Sequence, residues 1–356
     1  MQKRFLFVCG DIGGAELQCR VIPILHAAGH AVSVIADSAG LGSTVFQKND
    51  ISLLACGGYD DADCLFLGTC GTANSIERAM AWMSYGHKPV VLASDGFFNH
   101  GLLPWRNVQA DYWCAINTDH AKEIKERHSD FRGEIVITGQ PAFDNLPELC
   151  RLRETVRYKR RHELGFTKNR RLMVWWSQGM KDVLEEDVVM ACEAVRTFAD
   201  VCRNGGFLPA FIPMVHPKVE KIRVGYVASI MSCVRIVAEE SGVPIFSRGS
   251  IPFDELNLAA DLVCAVTSTE EIKSTLVGGP PVIHFLGPAV RQWFSVDLGR
   301  TEPYLPDILS GQSLGVYGQD SMHAAVLRVM TDDDFAHNRF RHWSPPTIND
   351  AAVRIA

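Results

Sequence analysis

The segment DLVCAVTST (residues 261–269) leads through a helical pattern into GGPPVI (residues 278–283), and the first half of the chain contains a second version of this arrangement. There, DCLFLGTCGT (residues 63–72) leads through a helical pattern into GHKPVV (residues 86–91). Each version predicts a buried strand, a loop of small hydroxyl residues, a helix, a glycine stop and a second buried strand. A chain that repeats this unit in both halves is expected to form two parallel-sheet lobes, with the loops facing a cleft between them.

The rest of the first half follows the same alternation. Its other apolar runs are short and do not alternate with polar residues, which is typical of strands covered on both faces. They lie at Arg4–Cys9, Ala31–Ala36, Ser52–Ala55, Val90–Ala93, Tyr112–Ile116 and Glu134–Thr138. Helical patterns separate them, and this alternation of strand and helix predicts a doubly wound α/β domain.

The second half repeats the alternation from a new apolar strand onward. The predicted elements are, in order, a strand at Arg171–Trp176, a helix at Glu185–Cys202, a strand at Leu208–Met214, a helix at Ile222–Met231, strands at Val234–Val237 and Pro244–Phe246, and a helix at Phe253–Ala260. The whole chain therefore predicts an α/β protein of two Rossmann-like, doubly wound parallel-sheet lobes that face a central cleft.

The length of 356 residues exceeds what a single ordinary core can organise, and a hydrophobic fraction of 47% is enough for a core in each half. We place the first domain at residues 1–150, a linker at 151–170, the second domain at 171–335 and a C-terminal tail at 336–356. The linker is rich in Arg and Lys, and we interpret this basic run as a solvated helix face, in preference to an anion or membrane site.

The composition of the chain limits its expected binding partners and its expected cellular compartment. The formal charge of −6 argues against nucleic acid as the main partner. The 11 cysteines include no C-x-x-C pair, and many lie in apolar runs, which favours reduced thiols and a cytoplasmic location. The basic opening at Met1–Gly10 is interpreted as a first buried strand and not as a signal peptide. The chain has no uncharged apolar stretch long enough to predict a membrane-spanning helix.

In open parallel sheets, ligands bind beyond the carboxyl ends of the strands. The first such loop contains Gly13 and Gly14, which allow a sharp turn, and Asp11, a candidate general base whose alternative role is a solvated turn residue. Its G-x-x-G-G spacing differs from the dinucleotide fingerprint G-x-G-x-x-G. An NAD site is therefore disfavoured, although Asp37 ends the second strand, where such a fold places a ribose-binding acid.

A second candidate loop follows the strand at Val90–Ala93. It carries Asp95 and His100, either of which could take a proton from a hydroxyl nucleophile. The alternative roles are a turn or N-cap aspartate and a surface histidine, and the sequence leaves the two interpretations equal.

The second half offers three further strand-end loops. Hydroxyl, amide, imidazole and helix N-terminal N–H groups suit a phosphate, and the first-turn acids suit ribose hydroxyls. The candidate residues are Ser177, Gln178 and Gly179 after one strand, His216 after the next, and Thr267, Ser268, Thr269, Glu270 and Glu271 at the start of a later helix. The alternative roles are ordinary N-caps and a structural histidine.

No metal site is expected. The acidic pair Asp61 and Asp63 precedes a strand, so it should lie at the opposite edge of the sheet from the candidate loops. No His or Cys pair has metal-ligand spacing on one helix face, and the G-x-S-x-G serine elbow is absent.

Four stretches resemble the two-lobed nucleotide-sugar glycosyltransferase superfamily called GT-B. They are GGAE (residues 13–16), GQPAFD (139–144), VHP (215–217), and the segment from ADLV (260–263) to GPPV (279–282). The resemblance extends over most of the chain. Its nearer branches are lipid-A-disaccharide synthase, the undecaprenyl-linked N-acetylglucosaminyltransferase and UDP-N-acetylglucosamine 2-epimerase.

The resemblance implies a metal-independent glycosyltransferase of cell-surface polysaccharide or glycoconjugate biosynthesis. The co-substrate would be a nucleotide-sugar, most simply a UDP-sugar, with no other cofactor. The second lobe would hold the nucleotide, and the first would present an unidentified acceptor and a base. The oligomeric state is not implied.

Three positions depart from the family pattern. Ser274 stands where these transferases usually carry a ribose-binding acid, although Glu270 or Glu271 could substitute for it. WSQGM (residues 176–180) replaces the His-Arg-Arg-Glu-Asn string of the epimerase branch, and Asp11 replaces a catalytic histidine. The alternatives are a UDP-sugar 2-epimerase or nucleotide-sugar hydrolase, an NAD(P)-dependent oxidoreductase, and a catalytically inactive pair of binding lobes.

Overall fold

The computed structural model describes residues 1–37, 41–54, 57–69, 75–96, 107–297, 305–309, 311–332, 334–335 and 350–356. They belong to two compact units, one formed by Met1–Asn145 with Ile348–Ala356 and the other by Leu146–Thr347. Each unit contains one parallel β-sheet, of six and five strands respectively. The predicted pair of Rossmann-like α/β lobes is confirmed.

The sheet of the first unit has the order β2-β1-β3-β4-β5-β6. Its strands are β1 (Arg4–Cys9), β2 (Ala31–Ala36), β3 (Cys64–Gly68), β4 (Val90–Ala93), β5 (Tyr112–Ala115) and β6 (Glu134–Ile137). The helices described in this unit are α1 (Ile12–Ala27), α2 (Gly42–Lys48), α3 (Ile76–Ser84) and α4 (Thr118–Arg127), together with a C-terminal helix at Ala351–Ile355.

The sheet of the second unit has the order β11-β10-β9-β7-β8. Its strands are β7 (Arg170–Trp176), β8 (Leu208–Met214), β9 (Leu262–Ala265), β10 (Val282–Phe285) and β11 (Ser313–Val316). Its described helices are α5 (Leu146–Glu163), α6 (Lys181–Asn204), α7 (Val219–Ile222), α8 (Tyr226–Glu240), α9 (Phe253–Ala259), α10 (Thr269–Leu276), α11 (Pro288–Asp297), α12 (Pro306–Leu309) and α13 (Met322–Thr331). The C-terminal helix of the first unit, Ala351–Ile355, is numbered α14.

Strand β1 shows why the apolar runs do not alternate. Leu6 and Val8 pack into the core on one face of the sheet, and Phe7 and Cys9 pack into a second core on the other face. Successive residues of a strand point to opposite faces, so a strand covered by helices on both sides needs apolar residues at every position.

Two predicted strands are wrong. Residues 52–54 of the strand predicted at Ser52–Ala55 belong to no strand, and Ala55 lies outside the described residues. Val234–Val237 lies inside helix α8, whose buried residues are Ile230, Val234, Val237 and Ala238. This spacing of three and four residues places them on one helix face, so packing on α6 overrides the β-branched character of the valines. The strand predicted at Pro244–Phe246 is reduced to a single parallel bridge between Phe211 and Ile245.

The region predicted as a linker at residues 151–170 is largely helix α5, which belongs to the second unit. Its arginines are docked and not simply solvated. Arg157 Nη2 lies 2.7 Å and Arg161 Nη1 lies 2.9 Å from the carboxylate of Asp261. Both also donate to backbone carbonyls at the end of α9. The basic run therefore anchors α5 to the sheet.

The predicted C-terminal tail contributes helix α14 to the first unit. The Asp144 carboxylate accepts hydrogen bonds from the backbone N–H groups of Ala351 and Ala352, at 2.9 and 3.1 Å. An aspartate at a helix N-terminus satisfies donors that have no partner within the helix. Among the described residues, no helix combines the length and the apolarity that crossing a membrane requires.

Candidate functional site

Three strand-end loops of the second unit leave the sheet at one level. In the parallel register, Trp176 of β7 pairs with Met214 of β8 on one side and with Ala265 of β9 on the other. The chain segments that begin at Ser177 and continue from Met214 and Ala265 therefore start side by side at the carboxyl edge. The structure thus brings the three predicted loops of this half together.

Ser177 joins two of these loops. Its Oγ accepts a hydrogen bond from the backbone N–H of His216 at 2.8 Å, and its own N–H donates to the carbonyl of Met214 at 3.0 Å. His216 Nδ1 accepts from the backbone N–H of Lys218 at 3.0 Å. In a neutral imidazole the proton then lies on Nε2, which makes that nitrogen a hydrogen-bond donor.

Gly179 allows this histidine to approach the first loop. A Cβ atom at Gly179 would lie 2.5 Å from His216 Nδ1, well inside van der Waals distance. Any larger residue must move the imidazole. Gly179 and His216 therefore pack directly against each other, although they are 37 positions apart in the sequence.

The third loop ends at the N-terminus of α10. Ser268 is the N-cap, and its Oγ accepts from the backbone N–H of Glu270 at 3.2 Å. Thr267 and Thr269, on either side, are partly exposed. The N–H groups and dipole of a helix N-terminus favour an anion, so this loop has the electrostatic character that a phosphate needs.

The two acids of the first turn of α10 have partners within the unit. Glu270 Oε1 lies 2.8 Å from Lys273 Nζ. Glu271 is fully buried, with Oε1 lying 3.3 Å from Nδ1 of His284 on β10. Burial raises the pKa of Glu271, and the His284 charge opposes that shift. Both acids were expected to hold ribose hydroxyls, and Glu271 instead lies in the interior.

A buried charge cluster lies beneath α10. His284 Nδ1 is 3.2 Å from the carbonyl of Val266, and Nε2 is 2.7 Å from the Asp307 carboxylate. Because both ring nitrogens face acceptors, the imidazolium form satisfies the geometry. Burial lowers the pKa of His284, but Asp307 and Glu271 together raise it well above its usual value. The sequence patterns considered above did not identify His284 or Asp307.

Asp187 was also not predicted. Its Oδ1 accepts from the Trp175 indole N–H at 2.9 Å and its Oδ2 accepts from the backbone N–H of Gln178 at 2.7 Å. The side chain is fully buried, and burial raises its pKa to about 7. The local sequence EEDVV gives no sign that the third acid turns inward.

A surface cavity of about 490 Å³ lies beside the end of β8. Its walls are largely apolar, with one guanidinium, and consist of Ile212, Pro213, Met214, Met231 and residues 245–249, which include Phe246 and Arg248. Because Met214 ends β8 and is two residues before His216, the cavity adjoins the loop that carries His216.

The first unit brings Asp11 and Asp95 close to one loop. Asp11 is the N-cap of α1, and its Oδ1 accepts from the N–H of Ile12 at 3.1 Å. Gly13, in the first turn, faces Asp95: a Cβ there would lie 2.4 Å from Asp95 Oδ2. Gly14 instead packs on Cys9 and Gly68, where it lets α1 approach β1 and β3.

Asp95 is largely buried and held in place. Its Oδ1 accepts from the Thr69 hydroxyl at 2.6 Å, and its backbone carbonyl accepts from Gln140 Nε2 at 2.7 Å. Gln140 comes from the GQPAFD motif, which links that motif to this loop. His100, predicted as an alternative base, lies outside the described residues.

Glu77 is a further acid that sequence reasoning missed. Its Oε1 accepts from the backbone N–H of Gly10 at 2.6 Å, and the side chain is fully buried. Within the described part of the chain, Oε2 has no hydrogen-bond partner. Burial raises the pKa of Glu77, and the nearby Asp11 carboxylate adds to the shift. Its position in the first turn of α3, after Ser75, is the one available signal.

The acidic pair Asp61 and Asp63 lies before β3, at the amino end of the sheet. Asp63 accepts from the backbone N–H of Arg4 at 2.8 Å, and Asp61 Oδ1 lies 3.4 Å from the Arg4 guanidinium. Within the described ranges, no three His, Cys, Asp or Glu side chains group closely enough to hold a metal ion.

No protein-family model matches this chain, and no curated protein matches it. Several solved structures do match. The UDP-GlcNAc 2-epimerase from Neisseria meningitidis, bound to UDP-GlcNAc, is 12% identical with a TM-score of 0.68, and the match covers 99% of this chain and 98% of that one.

Two further structures extend the comparison. The UDP-GlcNAc 2-epimerase from Methanocaldococcus jannaschii, in complex with UDP-GlcNAc and UDP, is 12% identical with a TM-score of 0.65 over 99% of this chain and 98% of that one. MurG from Acinetobacter baumannii is 10% identical with a TM-score of 0.56 over 99% of both chains. Similarity at this level of identity establishes architecture and not activity. The chain therefore has the two-lobed GT-B fold that UDP-GlcNAc 2-epimerases and glycosyltransferases share.

Proposed function

We propose that this chain is a metal-independent glycosyltransferase that takes a nucleotide-diphospho-sugar, most simply a UDP-sugar, as its donor. The observation that carries the proposal is the meeting of three loops at the carboxyl edge of the second sheet. Ser177 is hydrogen-bonded to His216, and the α10 N-terminus capped by Ser268 follows the neighbouring strand. Carboxyl edges of open parallel sheets are where such folds bind nucleotides.

The donor diphosphate would bind at this edge. The N-terminus of α10 supplies a positive potential, Thr267 and Thr269 supply hydroxyls, and His216 supplies an Nε2–H donor. These groups stabilise the charge that develops on the diphosphate as the glycosidic bond breaks. The cavity beside β8 would take the nucleobase, because its apolar walls suit a planar ring and it adjoins His216.

Support for a uridine nucleotide comes from the comparison structures, two of which contain UDP-GlcNAc. Support for transfer over epimerisation comes from the loop after β7. WSQGM (residues 176–180) stands where the epimerase branch carries a charged string, and it resembles transferase loops.

The first unit would supply the acceptor site and the base. Asp11 or Asp95 would take the proton of an acceptor hydroxyl as that oxygen attacks the anomeric carbon. The bond from the anomeric carbon to the diphosphate breaks through an oxocarbenium-like state, and the nucleoside diphosphate leaves with the bonding electrons. In the cell this chemistry would serve synthesis of a surface polysaccharide or glycoconjugate, in the cytoplasm.

The second candidate function is a UDP-sugar 2-epimerase or nucleotide-sugar hydrolase. The observation that favours it is the TM-score of 0.68 to an epimerase, against 0.56 to MurG. The same donor site would serve such an enzyme, with water or no acceptor in place of a second sugar.

A ligand panel tests the donor, and a product assay tests the reaction. The protein is titrated calorimetrically with UDP, UDP-GlcNAc, UDP-glucose, GDP-mannose and NADPH. We expect binding of the uridine ligands only. Binding of NADPH without UDP would support an oxidoreductase and overturn the proposal. The protein is then incubated with each UDP-sugar alone. Stoichiometric UDP release or formation of a 2-epimer without acceptor would replace transfer by hydrolysis or epimerisation.

A further inference from the structure

Helix α6 presents two consecutive acids to the carboxyl edge of the second sheet. Glu186 Oε2 accepts from the backbone N–H of Ala289 at 2.9 Å, and its Oε1 accepts from that of Val290 at 3.3 Å. Both donors lie in the first turn of α11. A carboxylate of the protein therefore already occupies the anion position at this helix N-terminus.

The second acid, Asp187, is hydrogen-bonded to the loop that follows β7. Its two carboxylate oxygens accept from the Trp175 indole and from the backbone N–H of Gln178. Trp175 lies in β7, so one end of this bridge is fixed in the central part of the sheet. The other end holds the first loop between Ser177 and Gly179 with its Gln178 N–H turned towards the interior.

The N-terminus of α10, which follows β9 at the same edge, differs in one respect. The N-cap of α10 is the neutral hydroxyl of Ser268, which accepts from the backbone N–H of Glu270, and the first-turn acids Glu270 and Glu271 pair with Lys273 and His284. Glu186 therefore satisfies backbone N–H groups at the N-terminus of α11, and Asp187 satisfies the backbone N–H of Gln178. The N-terminus of α10 has a neutral cap instead.

We propose that Asp187 is a positioning residue for the donor site, which acts through the Gln178 backbone to fix the loop after β7 against His216. The inference rests on the proposed function and deepens it. With Gln178 held inward, Ser177 directs its Oγ to the His216 amide and Gly179 packs against the imidazole. Loss of the Asp187 bridge releases all three contacts at once. Asp187 itself, being fully buried, does not touch the donor.

The charges around Asp187 make its role dependent on pH. Burial raises the pKa of Asp187, Glu271 on α10 and Glu186 on its own helix add to that shift, and the Cys264 thiol on β9 lies near it. His284 lies behind Glu271 and balances its charge. A protonated Asp187 keeps one full acceptor oxygen and loses part of the bridge to Trp175 and Gln178. Donor affinity should therefore weaken as pH falls through about 7, where Asp187 becomes protonated.

The test compares Asp187→Asn with Asp182→Asn, a matched change at an exposed acid of the same helix. Binding of UDP to the wild type is measured first, because its absence refutes the proposed function and not this inference. Where the wild type binds UDP, Asp187→Asn should weaken binding about tenfold, as expected when a charged hydrogen-bond acceptor is lost. Asp182→Asn should leave binding within twofold.

Two readouts separate positioning from general loss of stability. Amide hydrogen exchange at Gln178 should speed up at least tenfold in Asp187→Asn, while core strands β7 and β9 stay protected. The dependence of UDP affinity on pH between 6 and 8 should also become flatter than in the wild type. An Asp187→Asn protein that binds UDP within twofold of the wild type overturns the proposal.

If Asp187→Asn does not fold, amide hydrogen exchange of the wild type alone tests the proposal. The amide of Gln178 should then be protected from exchange without UDP and stay protected when UDP binds. Fast exchange of that amide in the unliganded protein, or loss of its protection on binding, contradicts a loop held in place by Asp187.

Discussion

A Cβ atom on Gly13 would lie 2.4 Å from Oδ2 of Asp95, so only a glycine lets α1 and the loop after β4 approach each other this closely. The contact joins two strand-end loops, and it places the N-cap residue Asp11 and the buried Asp95 in one region. The two candidate bases of the first unit are therefore neighbours and not independent sites.

The first prediction concerns this contact. Gly13→Ala should displace the Asp95 carboxylate, because real Cβ contacts are never so short. Overpacking of this kind destabilises by about 1–3 kcal/mol. Turnover should fall at least tenfold while UDP affinity, which depends on the second unit, stays unchanged. The control is Gly318→Ala, where an added Cβ meets open space. Equal activity of the two variants would show that the contact has no functional role.

The second prediction separates the two candidate bases. Replacement of a general base lowers the rate by about 10²–10⁴-fold. One of Asp11→Asn and Asp95→Asn should show that loss in kcat, with binding of the UDP-sugar intact by thermal shift. Asp61→Asn, an exposed acid at the opposite edge of the sheet, is the control. Full activity of both Asn variants would exclude Asp11 and Asp95 as bases.

The third prediction uses the contact between Gly179 and His216. Gly179→Ala must move the imidazole, because the new Cβ would lie 2.5 Å from Nδ1. We expect Gly179→Ala and His216→Ala each to weaken UDP binding about tenfold, and the double variant to be no weaker than His216→Ala, since residues in contact are not additive. Additive losses in calorimetric titrations would mean that the two residues act independently.

The fourth prediction concerns the anchoring of α5. The carboxylate of Asp261 lies within 2.7, 2.9 and 3.1 Å of the guanidinium groups of Arg157, Arg161 and Arg171. Asp261→Ala leaves three partly buried cations without this partner and should destabilise the second unit by about 2–4 kcal/mol.

Asp200→Ala is the matched control for this change. Asp200 pairs with Arg203 at 2.9 Å on the surface, and loss of an exposed pair should change stability by less than about 1 kcal/mol. Urea unfolding, followed by tryptophans of the second unit, measures both variants. Similar losses in the two would contradict an anchoring role for Asp261.

The fifth prediction is a pH dependence of stability. The pKa of His284 is raised in the folded protein, so its stabilising contribution is complete below about pH 6.5, the value of an unfolded histidine. That contribution is lost as pH rises through the folded value. Asp307→Asn removes the carboxylate that lies 2.7 Å from Nε2 and should make the decline in unfolding free energy between pH 7 and 9 shallower.

At pH 7 this variant should also be less stable by about 3 kcal/mol, because it leaves a buried charge without its partner. Asp320→Asn, at an exposed position, serves as the control. An unchanged pH profile in Asp307→Asn would show that the imidazolium is not maintained by this pair.

Parallel topology explains how much of the site could be predicted. Buried strands followed by small-residue loops and helices are a local pattern, and all carboxyl ends of a parallel sheet lie at one edge. Ser177, His216 and Ser268 were therefore predicted to lie together without knowledge of the strand order. Their proximity follows from the register of β7 with β8 and β9.

Inward-facing acids could not be predicted in the same way. Glu77 binds the backbone of Gly10, which is 67 positions away, and Asp187 has the same sequence neighbourhood as the partly exposed Glu186. Hydrophobic periodicity reports which face of an element is apolar, but it does not report which polar group a distant backbone N–H will select.

The sequence by itself determined the alternation of strands and helices, the presence of two lobes and the edge at which chemistry is expected, because each depends on patterns within about 20 residues. Only the tertiary structure decided that the arginines of α5 bind Asp261, that Asp144 caps α14, and that Val234 is helical. These outcomes depend on contacts between segments far apart in the chain, where packing and the pairing of buried charges override local preference.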